Sequence, residues 1–277
     1  MTMGATGPRG TGVTAEAGRD EKLARSLTAE TTELLPFLPY LLQDLWELGS
    51  NPRDMARLIR KHLRPTEGAA ETTVLDLACG KGAVSVYIAR EFGFRVHGFD
   101  LTPEFIEYAR KKAEEYQVTG LCRFTPGDAN EVVNQEKDYD CVIFGAAGNI
   151  LGSPGETLRK LAQTVRPSGY ILIDEAYLPD GADNAGVQYQ NYDFLTRTQW
   201  LRLFEENGLT MLEEMPNTEG YSNFEADNRN IALRARELTA KHPEKAAVFA
   251  GYVQSQLNEC ADLEEVLAGG TWILQKL

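Results

Sequence analysis

The sequence predicts a doubly wound α/β fold with a seven-stranded, mostly parallel sheet. Two observations predict it. From Glu71 onward, short apolar runs alternate with stretches of helical periodicity, the pattern of parallel strands joined by crossover helices. Within that pattern, Val74-Leu75-Asp76-Leu77-Ala78 runs into Cys79-Gly80-Lys81-Gly82, and the next apolar run ends at Asp100. Strand, glycine turn, helix, strand and carboxylate follow one another. Glycines let a backbone come close to a ligand, and an acid after the second strand stands where ribose hydroxyls bind. The combination describes a nucleotide-type pocket.

The elements follow in order. Residues 1–25 are read as a disordered tail, because the first twenty contain five glycines and no apolar periodicity. Residues 26–70 form a helical lid, with Leu41, Leu42, Leu45 and Trp46, then Met55, Leu58 and Ile59 at helical spacing. Pro52 sits where a first helical turn loses nothing by its missing N–H. Residues 71–277 make the sheet domain. Its strands are expected at Thr73–Ala78, Arg95–Asp100, Cys122–Pro126, Tyr139–Phe144 and Tyr170–Asp174. A helix over Thr198–Asn207 and a strand over Leu209–Met215 come next. A helical cap inserted at about 219–268 precedes a final strand, Thr271–Gln275.

Charge and composition narrow the partners. With 28 Lys+Arg against 41 Asp+Glu the net charge is −13, whereas nucleic-acid binders concentrate positive charge. An acidic surface is also a poor match for anionic lipid. The apolar run from Leu34 to Trp46 is too short to span a bilayer. Cys79, Cys122, Cys141 and Cys260 lie far apart without a C-x-x-C pair, which suits reduced thiols in a cytoplasmic protein with no metal site.

Ligands of open parallel sheets bind at the carboxyl ends of the strands. Asp76, Asp100 and Asp128 fall there after successive strands. Asp100 can accept from two ribose hydroxyls and Asp128 from an exocyclic amine, while Asp76 would meet a cationic amine and repel a pyrophosphate. That repulsion, with Ser85 closing Gly80-Lys81-Gly82-Ala83-Val84-Ser85, argues against a nicotinamide dinucleotide, whose fingerprint needs G-x-G-x-x-G/A. Each position also has a purely structural reading: Asp100 as a cap for the helix at Pro103, Asp128 as an ordinary turn, His97 as a satisfied core histidine.

On these residues the chain resembles the class I S-adenosylmethionine-dependent methyltransferases of small-molecule type, with their Rossmann-like fold. Asp76, Gly80 and Gly82 meet that family's acid-x-Gly-x-Gly-x-Gly motif, with Ala78 in place of the first glycine. The resemblance implies S-adenosylmethionine as cofactor. It implies Asp76, Ala78, Gly80 and Gly82 around the methionine part, Asp100 and Leu101 at the ribose, and Asp128 and Ala129 at the adenine. Gly145 and Ala146 would face the amine and sulfonium, and Trp46 and Ser50 of the lid would close over the methionine end. Such an enzyme transfers a methyl group by direct displacement to an amine, phenol or quinone, or thiol. A proton acceptor, where one is needed, is expected at the strand ends, with Glu175 first, then Tyr177 and Asn149. Cap aromatics (Tyr177, Tyr189, Tyr192, Trp200, Tyr221, Phe224) interleaved with glutamates would suit a cationic amine, and aromatics alone a flat phenol or quinone. Trp200 and Phe204 also read as the core face of a helix, and the glutamates as solvated. The competing classes are a protein or tRNA methyltransferase and a non-catalytic module that binds the same cofactor. The expected assembly is a monomer or homodimer.

Overall fold

The computed structural model describes residues 11–63, 71–189, 192, 194–216 and 224–277, with backbone alone over 11–16. Its seven strands are β1 (Thr73–Leu77), β2 (Arg95–Asp100), β3 (Cys122–Pro126), β4 (Tyr139–Gly145), β5 (Val165–Tyr177), β6 (Leu209–Pro216) and β7 (Ala268–Lys276). They form one sheet in the order β3-β2-β1-β4-β5-β7-β6. The pairs among β1 to β5 are parallel; β7 runs antiparallel between β5 and β6. The strand order therefore reverses direction between β1 and β4, the position at which open α/β sheets hold ligands.

Period-two alternation sends the strand residues to two cores. Leu75, Leu77, Val142, Phe144, Ile171, Ile173 and Trp272 face α6 (Ala129–Gln135), α7 (Pro154–Thr164) and α8 (Arg197–Glu206). Val74, Val96, Cys141, Ile143, Leu172 and Ile273 face α3 (Pro52–His62), α4 (Ala83–Phe92) and α5 (Pro103–Glu115). Local chemistry fixes the helix starts. Asn51 accepts from the Arg53 N–H ahead of α3, and Thr196 and Gln199 form a capping box at α8. Helix α6, where the sequence suggests a plain turn, starts because the Asp128 carboxylate accepts from the Asn130 N–H at 2.8 Å.

The N-terminal segment departs from expectation. Helix α1 (Thr11–Ser26) occupies much of the stretch expected to be a disordered tail. Its stability comes from docking rather than composition: Ala24 is buried with Ala29 against the lid, and Leu23 and Leu27 lie inward of it. The helix ends at Thr28, which takes a left-handed φ of 62° while Ala29 N–H returns to the Ala24 carbonyl. A 3-10 turn (Thr32–Phe37) and the short α2 (Leu38–Leu41) follow. Between β6 and β7 stand α9 (Phe224–Lys241) and α10 (Ala246–Glu265), separated at His242-Pro243. Leu34, Leu38, Leu41, Leu42 and Leu45 share one apolar core with Ile231, Ala235 and Leu238 of α9 and Phe249 and Tyr252 of α10. Lid and cap are thus one packed unit. Among the described residues, no helix is long and apolar enough to cross a membrane.

Trp272 is the centre of the larger core, fully buried and within ring contact of Tyr177, Trp200 and Phe204 at 5.3–5.7 Å. Trp272→Ala is expected to cost about 3–5 kcal/mol, read as a lower denaturant midpoint with native far-UV circular dichroism.

Candidate active site

The site grows from the turn after β1. Ala78, Gly80 and Gly82 all take left-handed φ (56°, 52° and 74°). Holding an alanine there costs on the order of 1 kcal/mol, so the turn must be fastened from outside. The Cys79 N–H donates to the Phe99 carbonyl at 2.9 Å, and the Gly80 N–H donates to Asp100 Oδ2 at 2.9 Å. The other carboxylate oxygen, Oδ1, accepts from the Thr102 N–H at 2.8 Å. Asp100 is therefore both a cap ahead of α5 and the brace of the glycine turn, and its carboxylate also lines the cavity beside that turn. The structural and functional readings of this residue coexist.

Asp76 is buried under the turn, where Ser85 Oγ donates to its Oδ2 at 2.5 Å. Burial pushes its pKa up to about 7 against the effect of the Ser85 bond, and the charge of Asp100 adds to the rise. A carboxyl poised there is converted fully to carboxylate by a neighbouring ammonium group. Asp128, at the start of α6, completes the three acids around one cavity.

The opposite wall comes from the end of β4 and from the lid. Gly145 pairs with Asp174, and the Ala146 N–H (φ 51°) donates to the Asp174 carbonyl at 2.9 Å. Ser50 lies directly over Gly145, where a Cβ would overlap its hydroxyl. A Cβ on Gly49 would lie 2.5 Å from that of Ala146. The Ser50 hydroxyl is buried and has no hydrogen-bond partner among the described residues. An orphaned polar atom in a cavity wall marks a place where a ligand group belongs.

The cavity has an empty volume of about 1030 Å³, open solvent at its mouth included, which suits a ligand of cofactor size. Trp46, Ser50, Asp76, Ala78, Gly80, Asp100, Leu101, Asp128, Ala129, Gly145 and Ala146 all line it. Gly82 does not. A Cβ there would come within 2.8 Å of Ala109 and 3.0 Å of Phe124, so this glycine allows α4 to pack on α5 and β3, and Ala83 lines the cavity instead. Three acids, a narrow glycine cradle and an unpaired hydroxyl fit the adenosine, amine and carboxylate of S-adenosylmethionine. A pyrophosphate would face the same carboxylates unfavourably.

The candidate proton acceptors separate. Asn149 is exposed, its carbonyl occupied by the Gly152 N–H, and does not reach the cavity. Tyr177 belongs to the opposite core, with its ring on Trp272 and its hydroxyl donating to Glu214 at 2.6 Å. Glu175 is half-buried at the end of β5. Burial raises its pKa to about 8, the charge of Asp174 adds to this, and a hydroxyl bond from Tyr192 at 3.4 Å opposes it. Glu175 stands behind the cavity wall rather than in it. It follows Asp174, the partner of Gly145, and the Tyr192 ring lies beside Gly148.

Among the described residues, the cap aromatics do not gather around the cavity. Trp200 and Phe204 are core residues; Tyr189 and Tyr192 pack with Leu178 and Phe194; Tyr221 lies outside the described residues. Glu213 pairs with Lys61 and His62, and Glu214 with Arg197, so these acids are engaged within the protein. His97 is satisfied by Tyr139 and Thr125.

Two contributions escape the sequence reading. Helix α1 covers the cavity with Arg19, Lys22, Leu23 and Ser26, followed by Leu27. Their i, i+3, i+4, i+7 spacing is the only signal, and the glycine-rich composition around it masks that signal. Lys81, between the two glycines, is 3% exposed, and its ammonium donates to the carbonyls of Leu42 and Leu45, the latter at 2.6 Å.

Comparison with known proteins agrees with this geometry. A family described as a methyltransferase domain matches residues 69–233. The uncharacterized protein YjhP of Escherichia coli K12 is 32% identical over 197 residues, covering 68% of this chain and 75% of YjhP. The YjhP crystal structure superposes with a TM-score of 0.69 at 25% identity, over 86% of this chain and 99% of that one. A SAM-dependent methyltransferase from Geobacter sulfurreducens, solved with S-adenosyl-L-homocysteine, gives a TM-score of 0.67 at 28% identity, over 82% and 92% of the two chains. The demethylmenaquinone methyltransferase of Chlorobaculum tepidum is 25% identical, with 57% of this chain covered but only 61% of that protein.

Asp100→Ala removes a charged acceptor and the brace of the turn. It is expected to weaken S-adenosylhomocysteine binding by about 1.5–3 kcal/mol, roughly 10- to 150-fold, in calorimetric titration. NAD should give no heat with either protein.

Proposed function

The chain belongs to the S-adenosylmethionine-dependent methyltransferases, and we propose that it methylates a small apolar acceptor at an oxygen or sulfur atom by direct displacement. The observation that carries this reading is the covered cavity. Helix α1 and the lid close over the strand ends, which favours a small molecule over a protein or tRNA, and the net charge of −13 counts further against a nucleic acid.

The cofactor, when bound, supplies a methyl group already activated on its sulfonium. The chain's own work is alignment and exclusion of water. Asp76 would take the amine, Asp100 the ribose hydroxyls, Asp128 and Ala129 the adenine, and Ser50 would give its unpaired hydroxyl to the methionine end. What the cavity keeps for the acceptor is Leu23, Leu27 and Ile150, with Lys22 and Arg19, the latter paired with Asp20, at the α1 side. Apolar walls with nearby positive charge favour a neutral acceptor whose nucleophile becomes an anion, a phenol, quinol or thiol, over a cationic amine. A relative named for demethylmenaquinone is consistent with that choice.

Glu175, bonded to the Tyr192 hydroxyl behind the cavity wall, would receive the acceptor's proton only through a relay from the cavity. A base whose pKa is raised to about 8 by burial is protonated at pH 7 and works only as it ionises. The wild-type rate should therefore climb through pH 7–8, by up to about tenfold per unit, and level off above. Glu175→Gln should be slower and lack this limb, with S-adenosylhomocysteine affinity unchanged. Screening phenols, quinols, thiols and amines for S-adenosylhomocysteine release checks the substrate class. Turnover confined to amines would refute the anionic nucleophile, and binding without turnover on any class would favour the non-catalytic module.

A further inference from the structure

A buried lysine inside a glycine turn is an expensive group, and its placement needs a reason. Burial lowers the Lys81 pKa to about 8, with the charge of Asp44 partly offsetting the effect. An apolar side chain would fill the same space without that cost. What lysine adds is a set of directed bonds. Its ammonium donates to the carbonyls of Leu42 and Leu45, which lie just past the end of α2, the former also accepting from the Leu45 N–H. It also lies 4.7 Å from the ring of Tyr108 and 5.7 Å from that of Phe105, both on α5. In return, the Lys81 carbonyl accepts from the Trp46 indole N–H at 3.1 Å, and the indole stacks on Tyr116 at 5.1 Å. Three hydrogen bonds thus join residues 42–46 of the lid to one residue of the turn.

The residues that follow in the lid form the wall over the methionine half of the cavity. Leu48 would lie 3.3 Å from a Cβ on Gly80, and Gly49 and Ser50 rest on Ala146 and Gly145. We propose that Lys81 is a positioning residue: it latches the lid to the glycine turn, so that Ser50 and the turn meet the cofactor as one assembled surface. The ammonium regains water when the lid lifts, so part of the cost of burial is recovered on opening and the latch is reversible. The proposal rests on the cavity being the cofactor site, which Asp100→Ala tests separately.

The test uses the full chain and S-adenosylhomocysteine, with Lys81→Met, Trp46→Phe and the double variant. Calorimetry gives affinity, and amide hydrogen exchange compares residues 42–50 with β4 and β5. Trp46 emission reports the lid, because Trp200 and Trp272 are buried in the sheet core. Lys81→Met is expected to bind at least tenfold more weakly, exchange faster at 42–50 with unchanged strands, and shift the Trp46 emission to the red. Trp46→Phe should lose less, and the double variant no more than Lys81→Met alone. Wild-type affinity in Lys81→Met, additive losses in the double variant, or equal loosening of lid and strands would overturn the latch. If Lys81→Met fails to fold, Trp46→Phe decides: it must speed exchange at 42–50 with the strands unchanged, and exchange like wild type overturns the proposal. Lost binding in Asp100→Ala with undisturbed lid exchange would keep the two readings apart.

Discussion

The bond from the Gly80 N–H to Asp100 ties the end of β1 to the end of β2 and keeps three left-handed residues in one short turn. One wall of the cavity takes its place from that turn. On its inner side lies Asp76, on its outer side the lid held through Lys81, and next to it α4, admitted by Gly82. The carboxylate of Asp100 is shared between this duty and the cavity, so the architecture and the ligand compete for one group. That sharing explains why the turn needs support from several elements. A turn carrying an alanine where glycine is easier does not hold its shape alone.

Electrostatics give the cavity its direction. Asp76, Asp100 and Asp128 gather at one end, and burial raises the pKa of the first two. Such a group favours a cationic ligand, because the ligand supplies the charge that the missing water would otherwise balance. Arg19, paired with Asp20, and Lys22 also line the cavity from α1. The acids of β6 are held by Lys61, His62 and Arg197.

The strand-end acids were legible in the sequence because strand length and alternation place them without reference to distant contacts. The same logic placed β1 to β5, whereas the lid residues Trp46 and Ser50 came from the family resemblance. Tyr177 shows where it stops. It has the parity of Glu175 along β5, yet its hydroxyl finds Glu214, thirty-seven residues away on β6, beside a register shift between Met211 and Glu213. No local pattern encodes that partner. Helix α1 was missed for a related reason: its sequence is a weak helix former, and docking on the lid and the cavity makes it a helix. Gly82 was assigned to the ligand by motif, although its freedom serves the packing of Ala109 and Phe124.

The two covers of the cavity differ in how firmly they are held, and this bears on how ligands enter. The lid buries Leu34, Leu38, Leu41, Leu42 and Leu45 in a core shared with α9 and α10, and Arg234 of α9 pairs with Asp44 while Tyr40 donates to Glu237. At about 1.5–3 kcal/mol for each buried leucine, lifting the whole lid off the cap would approach the stability of the domain itself. Helix α1 buries only Ala24 among its described side chains. It is held through its end, by the Tyr189 hydroxyl on the Arg25 carbonyl and by Thr28 on Glu259, with Thr28 itself in a left-handed conformation unfavourable for a β-branched residue. Exchange of ligand past α1, with only the local 42–50 segment yielding at Lys81, therefore asks far less of the fold than opening the lid from the cap.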